Sequence, residues 1–133
     1  MSPDGGPSPD AGPSADGRVL LVDDEPAVLA VLERSLAHLG RAPCRATDAA
    51  EALAWLGRER FGVIVSDYSM PGHDGLWLLD RVRHRCPGMR RVLMSGGPVP
   101  AIADHLQEGL VERFLPKPVT PRILAECLEQ LRA

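Results

Sequence analysis

Lysine is almost absent from this chain: of its fifteen lysines and arginines, only Lys117 is a lysine. A compact ammonium therefore exists at one position, and no other side chain duplicates it. Aromatic residues are scarce at 4%, so the core must be built mainly from leucine, valine and alanine, by size and pattern more than by stacking. The three cysteines, Cys44, Cys86 and Cys127, stand far apart with no CxxC or metal-finger spacing, which predicts buried or half-buried thiols. No apolar run approaches the roughly 18 residues of a membrane span, and the amino terminus lacks the basic start and apolar middle of a secretory signal. These absences lead to the expectation of a cytoplasmic protein with no membrane contact. Net charge is missing as well. The first seventeen residues carry three of the eighteen acids, leaving fifteen against fifteen bases, so direct nucleic-acid binding is not indicated.

Those seventeen residues, rich in Pro, Gly, Ser and Asp, offer almost nothing to bury and read as a disordered tail over 1–17. The remainder, 18–133, has the length of one domain. In it short β-branched or leucine runs alternate with segments of helical period, the signature of repeated βαβ units. The expected strands are 18–23, 42–46, 62–67, 91–95 and 113–115, and the expected helices 25–39, 48–59, 74–85, 98–109 and 119–132. RVLLVD, GVIVSD and RVLMS are near-continuous apolar runs, as in strands covered on both faces. Val28, Leu32, Leu36 and Leu39 in the first helix, and Ile123, Leu124, Cys127, Leu128 and Leu131 in the last, recur at the helical period and are expected to face the sheet. Pro26 and Pro121 suit first turns, Gly40 a helix stop, and Thr47 or Asp48 a cap of the second helix. Trp55 and Trp77 read as packing residues, and the four histidines, together with RVRHR at 81–85, as solvated or partly packed.

In a parallel sheet all carboxyl ends share one edge, so residues distant in sequence converge there. Asp23 and Asp24 follow the first strand, Asp67 ends the third, Ser95 the fourth, and Lys117 follows the fifth. Carboxylates brought so close repel one another unless a cation joins them. A hard divalent ion such as Mg²⁺ fits that need, since it uses few carboxylates and leaves positions for phosphate oxygens. With that ion and Lys117 neutralising an incoming phosphoryl group, Asp67 is placed to act as nucleophile and become an acyl phosphate. Its loop, YSMPGHDG, is rich in turn residues and leaves the carboxylate reachable. Ser95 can donate to a phosphoryl oxygen, with the small Gly96 and Gly97 behind it.

These residues are where the chain resembles the receiver domains of two-component response regulators. The VDD of 22–24, the D-x-x-MP-x-x-DG pattern of Asp67, Met70, Pro71, Asp74 and Gly75, the hydroxyl of Ser95 and the KP of 117–118 stand in that family's order and spacing. The resemblance implies a flavodoxin-like, doubly wound α/β fold, with a five-stranded parallel sheet of order 2-1-3-4-5. It implies that Asp67 accepts a phosphoryl group from a sensor histidine kinase or phosphotransfer protein. Mg²⁺ would be held by Asp24 and Asp67 directly, by Asp23 through water and by the backbone carbonyl of Ser69. Lys117 would pair with phosphoryl oxygens, and the 117–118 peptide would be cis. Ser95 and Phe114 would form the switch that alters the α4-β5-α5 face, residues 98–109 and 120–131, for a downstream protein partner. Phe114 stands where the family often has Tyr, and Ser69 and Gly97 occupy positions that tune acyl-phosphate lifetime there.

Alternatives come from other classes. Asp24 taken alone reads more readily as a cap of the first helix, with no ion involved, and it is Asp67, Ser95 and Lys117 at matching strand ends that reverse this. An aspartyl-phosphate hydrolase typically carries a second Asp two residues after its nucleophile, where this chain has Ser69. An adaptor that no longer takes phosphate normally loses one of the acids or the lysine, and all are kept here. The expectation is a phosphorylation-controlled binding module rather than an enzyme. It is either a stand-alone receiver, with nothing encoded after the fifth helix, or a module of a hybrid kinase or larger regulator.

Overall fold

The computed structural model describes residues 17–132, so the tail expected over 1–17 lies, apart from Gly17, outside the described residues. Five strands and five helices alternate along the chain: β1 (Arg18–Val22), α1 (Pro26–His38), β2 (Ala42–Ala46), α2 (Ala49–Leu56), β3 (Val63–Asp67), α3 (Gly75–Arg85), β4 (Arg90–Ser95), α4 (Ile102–Glu108), β5 (Arg113–Pro116) and α5 (Pro121–Arg132). All strand pairs are parallel and the order is β2-β1-β3-β4-β5.

The sheet divides its side chains by alternation. Val19 and Leu21 of β1, with Val63, Val65, Val92 and Met94, turn to one face and meet α1 and α5 through Leu29, Leu32, Leu36, Leu124, Cys127 and Leu128. Leu20, Val22, Ile64 and Leu93 turn to the other, against Ala49 and Ala52 of α2 and Leu78, Leu79 and Val82 of α3. Every residue of β3 is buried, which accounts for its unbroken apolar run. The edge strand β2 instead carries Pro43 and an exposed Arg45, both of which discourage pairing with another chain.

Local chemistry sets most boundaries as expected. Pro26 opens α1, and Asp48 caps α2 by accepting the Glu51 amide at 2.8 Å, while Glu51 Oε1 accepts the Thr47 amide at 2.7 Å. Three expectations fail. The fourth helix starts at Ile102 rather than near 98, because Pro98 and Pro100 disfavour helical geometry before them and Ala101 sits in the left-handed region at φ 58°. Leu39 is 52% exposed, since it lies beyond the last helical turn where Gly40 (φ 76°) redirects the chain; Leu29 takes the inward place. Ile123, at 38% exposure, is on the rim of the α5 stripe rather than in it. Cys127 is buried and Cys44 and Cys86 half-buried, in line with the thiol expectation.

Candidate functional site

β1 and β3 are direct neighbours with Val22 opposite Ser66, so the residues that follow, Asp23 and Asp67, emerge side by side. Here the chain departs to β2 on one side of β1 and to β3 on the other, which opens the crevice at the carboxyl ends of the strands. Asp67 pairs with Met94 across β3 and β4, and Ser95 with Pro116 across β4 and β5. The edge is laced by backbone bonds: Tyr68 N–H to Met94 O at 2.8 Å, and Lys117 N–H to Ser95 O at 2.8 Å. Four strand ends are thereby locked in one register, and the Lys117–Pro118 peptide is cis.

Asp23, Asp24 and Asp67 each present an oxygen within 4.8 Å of the others, with Asp23 and Asp67 buried and Asp24 exposed. Lys117 Nζ lies 2.9 Å from Asp23 Oδ2, 3.3 Å from Asp67 Oδ1 and 3.8 Å from Glu25 Oε1. Burial pulls the Lys117 pKa down, but its bond to Asp23, the Asp23 charge and Asp67 outweigh that and raise it above the usual lysine value. The ammonium is thus firmly charged at neutral pH. Asp67 shares that lysine, yet its own pKa is raised: burial comes first, Asp23 adds to it, and Lys117 only partly offsets them. One ammonium, bound most closely to Asp23, undercompensates three carboxylates.

That shortfall is the test of whether this pocket suits a cation. An all-oxygen donor set, buried on one side and open at Asp24, with an under-neutralised Asp67, matches the needs of a hard divalent ion. Asp24 does not cap α1. The N-cap position belongs to Glu25 and no side chain bonds there, while Asp23 Oδ1 accepts the Glu25 amide at 3.0 Å. Asp24 stays available to the pocket.

The remaining candidates are placed less directly. Ser95 is at the same edge, but its hydroxyl is turned onto its own loop, donating to Gly97 O at 2.8 Å and accepting the Gly97 amide at 3.1 Å. Ser69 is exposed, two residues past Asp67, and Phe114 lies half-buried on β5 against the α2-α3 side of the core. Glu25, within 3.8 Å of Lys117, went unrecognised in the sequence, although the run DDEP places a third acid directly after Asp24. Gly75 was read only as part of a motif. A Cβ there would stand 2.3 Å from the Asp67 carbonyl oxygen, so the first residue of α3 is pressed against the strand end that carries the acceptor candidate.

A doubly wound sheet with an acidic, lysine-bearing crevice at its switch point defines a class of α/β proteins whose site lies on strand ends. The family match is specific: residues 19–129 fit the model described as "Response regulator receiver domain", and the chain belongs to that family. Among curated relatives, it is 38% identical over 111 residues to the response regulator protein FleR of Pseudomonas aeruginosa, covering 82% of this chain and 23% of that protein. It is 36% identical over 103 residues to the DNA-binding transcriptional regulator NtrC of Escherichia coli, covering 77% of this chain and 22% of that protein. The chain therefore spans about a quarter or less of the length of these relatives. Among solved structures, a CheY-like response regulator receiver domain protein of Methanospirillum hungatei superposes with a TM-score of 0.80 at 28% identity, covering 86% of this chain and 91% of that one. This is a receiver domain of the two-component signalling family, and no helix among the described residues is long and apolar enough to cross a membrane.

Proposed function

We propose that the chain is a phosphoacceptor: Asp67 takes a phosphoryl group from a phosphohistidine of a sensor histidine kinase or phosphotransfer protein in the cytoplasm. The observation that carries this reading is the undercompensated pocket, in which Asp67 is flanked by two further aspartates and by the single lysine of the chain. An Asp67 carboxylate oxygen attacks phosphorus, the P–N bond breaks as the P–O bond forms, and the imidazole of the donor leaves. Asp24, Asp67, Asp23 and the Ser69 carbonyl are the groups that would hold Mg²⁺, which when bound supplies positive charge against the phosphoryl oxygens.

Lys117 is placed to exchange part of its contact with Asp67 for a phosphoryl oxygen without leaving Asp23. The Ser95 hydroxyl must give up its bond to Gly97 to donate to another oxygen, and the space it leaves is what half-buried Phe114 would enter. That coupling biases the face of α4, β5 and α5 toward a downstream protein partner. α4 suits such a role, because it spans only seven residues and none of them is buried. The function is a signalling switch; hydrolysis of small substrates is not favoured, given Ser69 in place of the second acid. The relatives' greater length favours a second arrangement, in which this receiver controls output domains of a longer regulator.

Incubation with Mg²⁺ and acetyl phosphate followed by intact-mass measurement tests the proposal. One added phosphoryl group is expected in the parent and none in Asp67→Asn. A parent that gains no mass, or an Asp67→Asn protein that gains the same mass, overturns it. Mg²⁺ is also expected to raise the melting temperature by binding the folded state only, an effect lost in Asp24→Ala.

A further inference from the structure

The loop joining Asp67 to α3 is held unevenly. Its first part is well anchored: Met70 is buried in the core, and Tyr68 O accepts the Gly75 amide at 2.8 Å. The outer part is not. Pro71, Gly72 and His73 are all exposed, as is Ser69 between Tyr68 and Met70, and Gly72 takes a left-handed φ of 82° to turn the chain back toward α3. Among the described residues, these four make one ring contact and no ion pair or side-chain hydrogen bond. That contact is His73 lying flat on Trp77, with ring centroids 3.6 Å apart and planes 8° from parallel.

Trp77 is a firm surface to lean on. It packs partly against the core from the first turn of α3, its amide bonds to the capping Asp74 carboxylate at 2.9 Å, and the Arg81 guanidinium lies over its ring at 4.7 Å. With one face covered by the imidazole at 3.6 Å, the guanidinium is left the other. Trp77 and Arg81, one helical turn apart on α3, and His73 from the loop before it thus form a three-layer stack, whose amino-terminal layer belongs to the loop that carries Ser69.

We propose that His73 is a positioning residue for this loop: by stacking on Trp77 it holds the outer segment, and with it the Ser69 carbonyl, in the arrangement the acidic pocket needs to take up a divalent cation. The role belongs to the flat face of the ring and needs no change in its charge. The inference rests on the metal-binding reading of the pocket. It adds that the pocket's affinity depends on an aromatic contact outside it, since a loop that must first be ordered binds its ion less tightly.

An aromatic pair of this kind corresponds to an equilibrium factor of about two- to tenfold. His73→Ala is therefore expected to weaken Mg²⁺ binding, measured by calorimetry, by that factor, while His73→Phe, which can stack but cannot titrate or hydrogen-bond, returns it to the parent value. In metal-free protein carrying Trp55→Phe, so that Trp77 is the only indole, His73→Ala is expected to increase acrylamide quenching of Trp77 fluorescence, and His73→Phe to reverse the increase. The slower phosphorylation of His73→Ala by acetyl phosphate is expected at low Mg²⁺ and recovered at saturating Mg²⁺. Parent-like Mg²⁺ affinity in His73→Ala, or failure of His73→Phe to restore it, overturns the proposal. A parent that binds no Mg²⁺ refutes the reading of the pocket instead, and the quenching arm still reports on the stack alone.

Discussion

Gly75, the first residue of α3, leaves no room for a side chain behind Asp67. A methyl group there would sit 2.3 Å from Asp67 O, 2.8 Å from Leu93 Cδ1 and 3.0 Å from Tyr68 Cα. Two of these neighbours are backbone, so the clash cannot be relieved by rotating a side chain. Restoring ordinary contact requires α3 and the end of β3 to separate by roughly 1 Å, given normal carbon contacts of about 3.5 Å. Overpacking of that kind costs about 1–3 kcal/mol, and the better helix propensity of alanine returns up to about 1 kcal/mol. Gly75→Ala is expected to lower stability by about 1–2 kcal/mol and the melting temperature by roughly 4–8 °C. Because Asp67 is the group displaced, phosphorylation by acetyl phosphate should slow as well. Gly57→Ala is the internal control. That glycine ends α2 at φ −78°, and its Cβ would meet only the Ala54 carbonyl at 3.5 Å and the Leu53 carbonyl at 4.0 Å, so a gain of about 0.5–1 kcal/mol is expected. Urea titrations of the three proteins decide the matter. Gly75→Ala as stable as the parent, or the two substitutions equally damaging, would refute the assignment of close packing behind Asp67.

Asp67 holds its proton in the folded chain to a higher pH than its ordinary value of 3.8, so between that value and the raised one the folded state binds more protons than the unfolded. Metal-free stability should therefore fall as pH rises through that window, and Asp67→Asn should remove the fall and be more stable than the parent at pH 7; melts across pH without Mg²⁺ test this. Arg91 is buried and its guanidinium donates to the carbonyls of Met89, Gly109 and Leu110 at 2.9–3.0 Å, tying the end of α4 to β4. Arg91→Met should cost about 3 kcal/mol by urea titration, since the buried acceptors lose their donors, and a loss under 1 kcal/mol would contradict that role. Burial pushes the Cys127 thiol up to about 11, with Arg113 offsetting little. A thiol reagent at pH 8 should label Cys44 and Cys86 in the folded protein and Cys127 only after denaturation, as read by mass spectrometry.

Where the sequence could be read correctly, the signal was a period or a termination. The buried strands declared themselves as apolar runs that stop at Asp23, Asp67 and Ser95, and the alternation with helices left little choice of topology once those stops had to share an edge. Lys117 was legible because nothing competes with it. What could not be read depends on distances between elements. The flat stack of His73 on Trp77 joins residues four apart, but only one of them is in the helix, so no helical period revealed it. Glu25 reaches Lys117 through the bend at Asp24, where Asp23 Oδ1 accepts the Glu25 amide, rather than through strand alternation. The late start of α4 follows from two prolines that an apolar pattern alone overrides when read as a stripe.

The same fold that brings the acids together also holds them there against their mutual repulsion. Residues Val19 to Val22 are fully buried, and β3 is covered on both faces, so a slip of one residue to separate Asp23 from Asp67 would turn every one of those side chains toward the wrong helices. The repulsion at the strand ends is small against that register energy, and it cannot be relieved by sliding. Opening is possible only in the groups at the rim: Asp24, Glu25, the loop after Asp67 and the Ser95 hydroxyl, each exposed or held by few bonds. Under the proposed function, a charge added to Asp67 would act on a centre fixed by the core, and the groups free to rearrange would be those at the rim. That separation ties the position of Asp67 to the core, and α4, among the described residues the one helix that buries none of its side chains, is where the proposed response would fall.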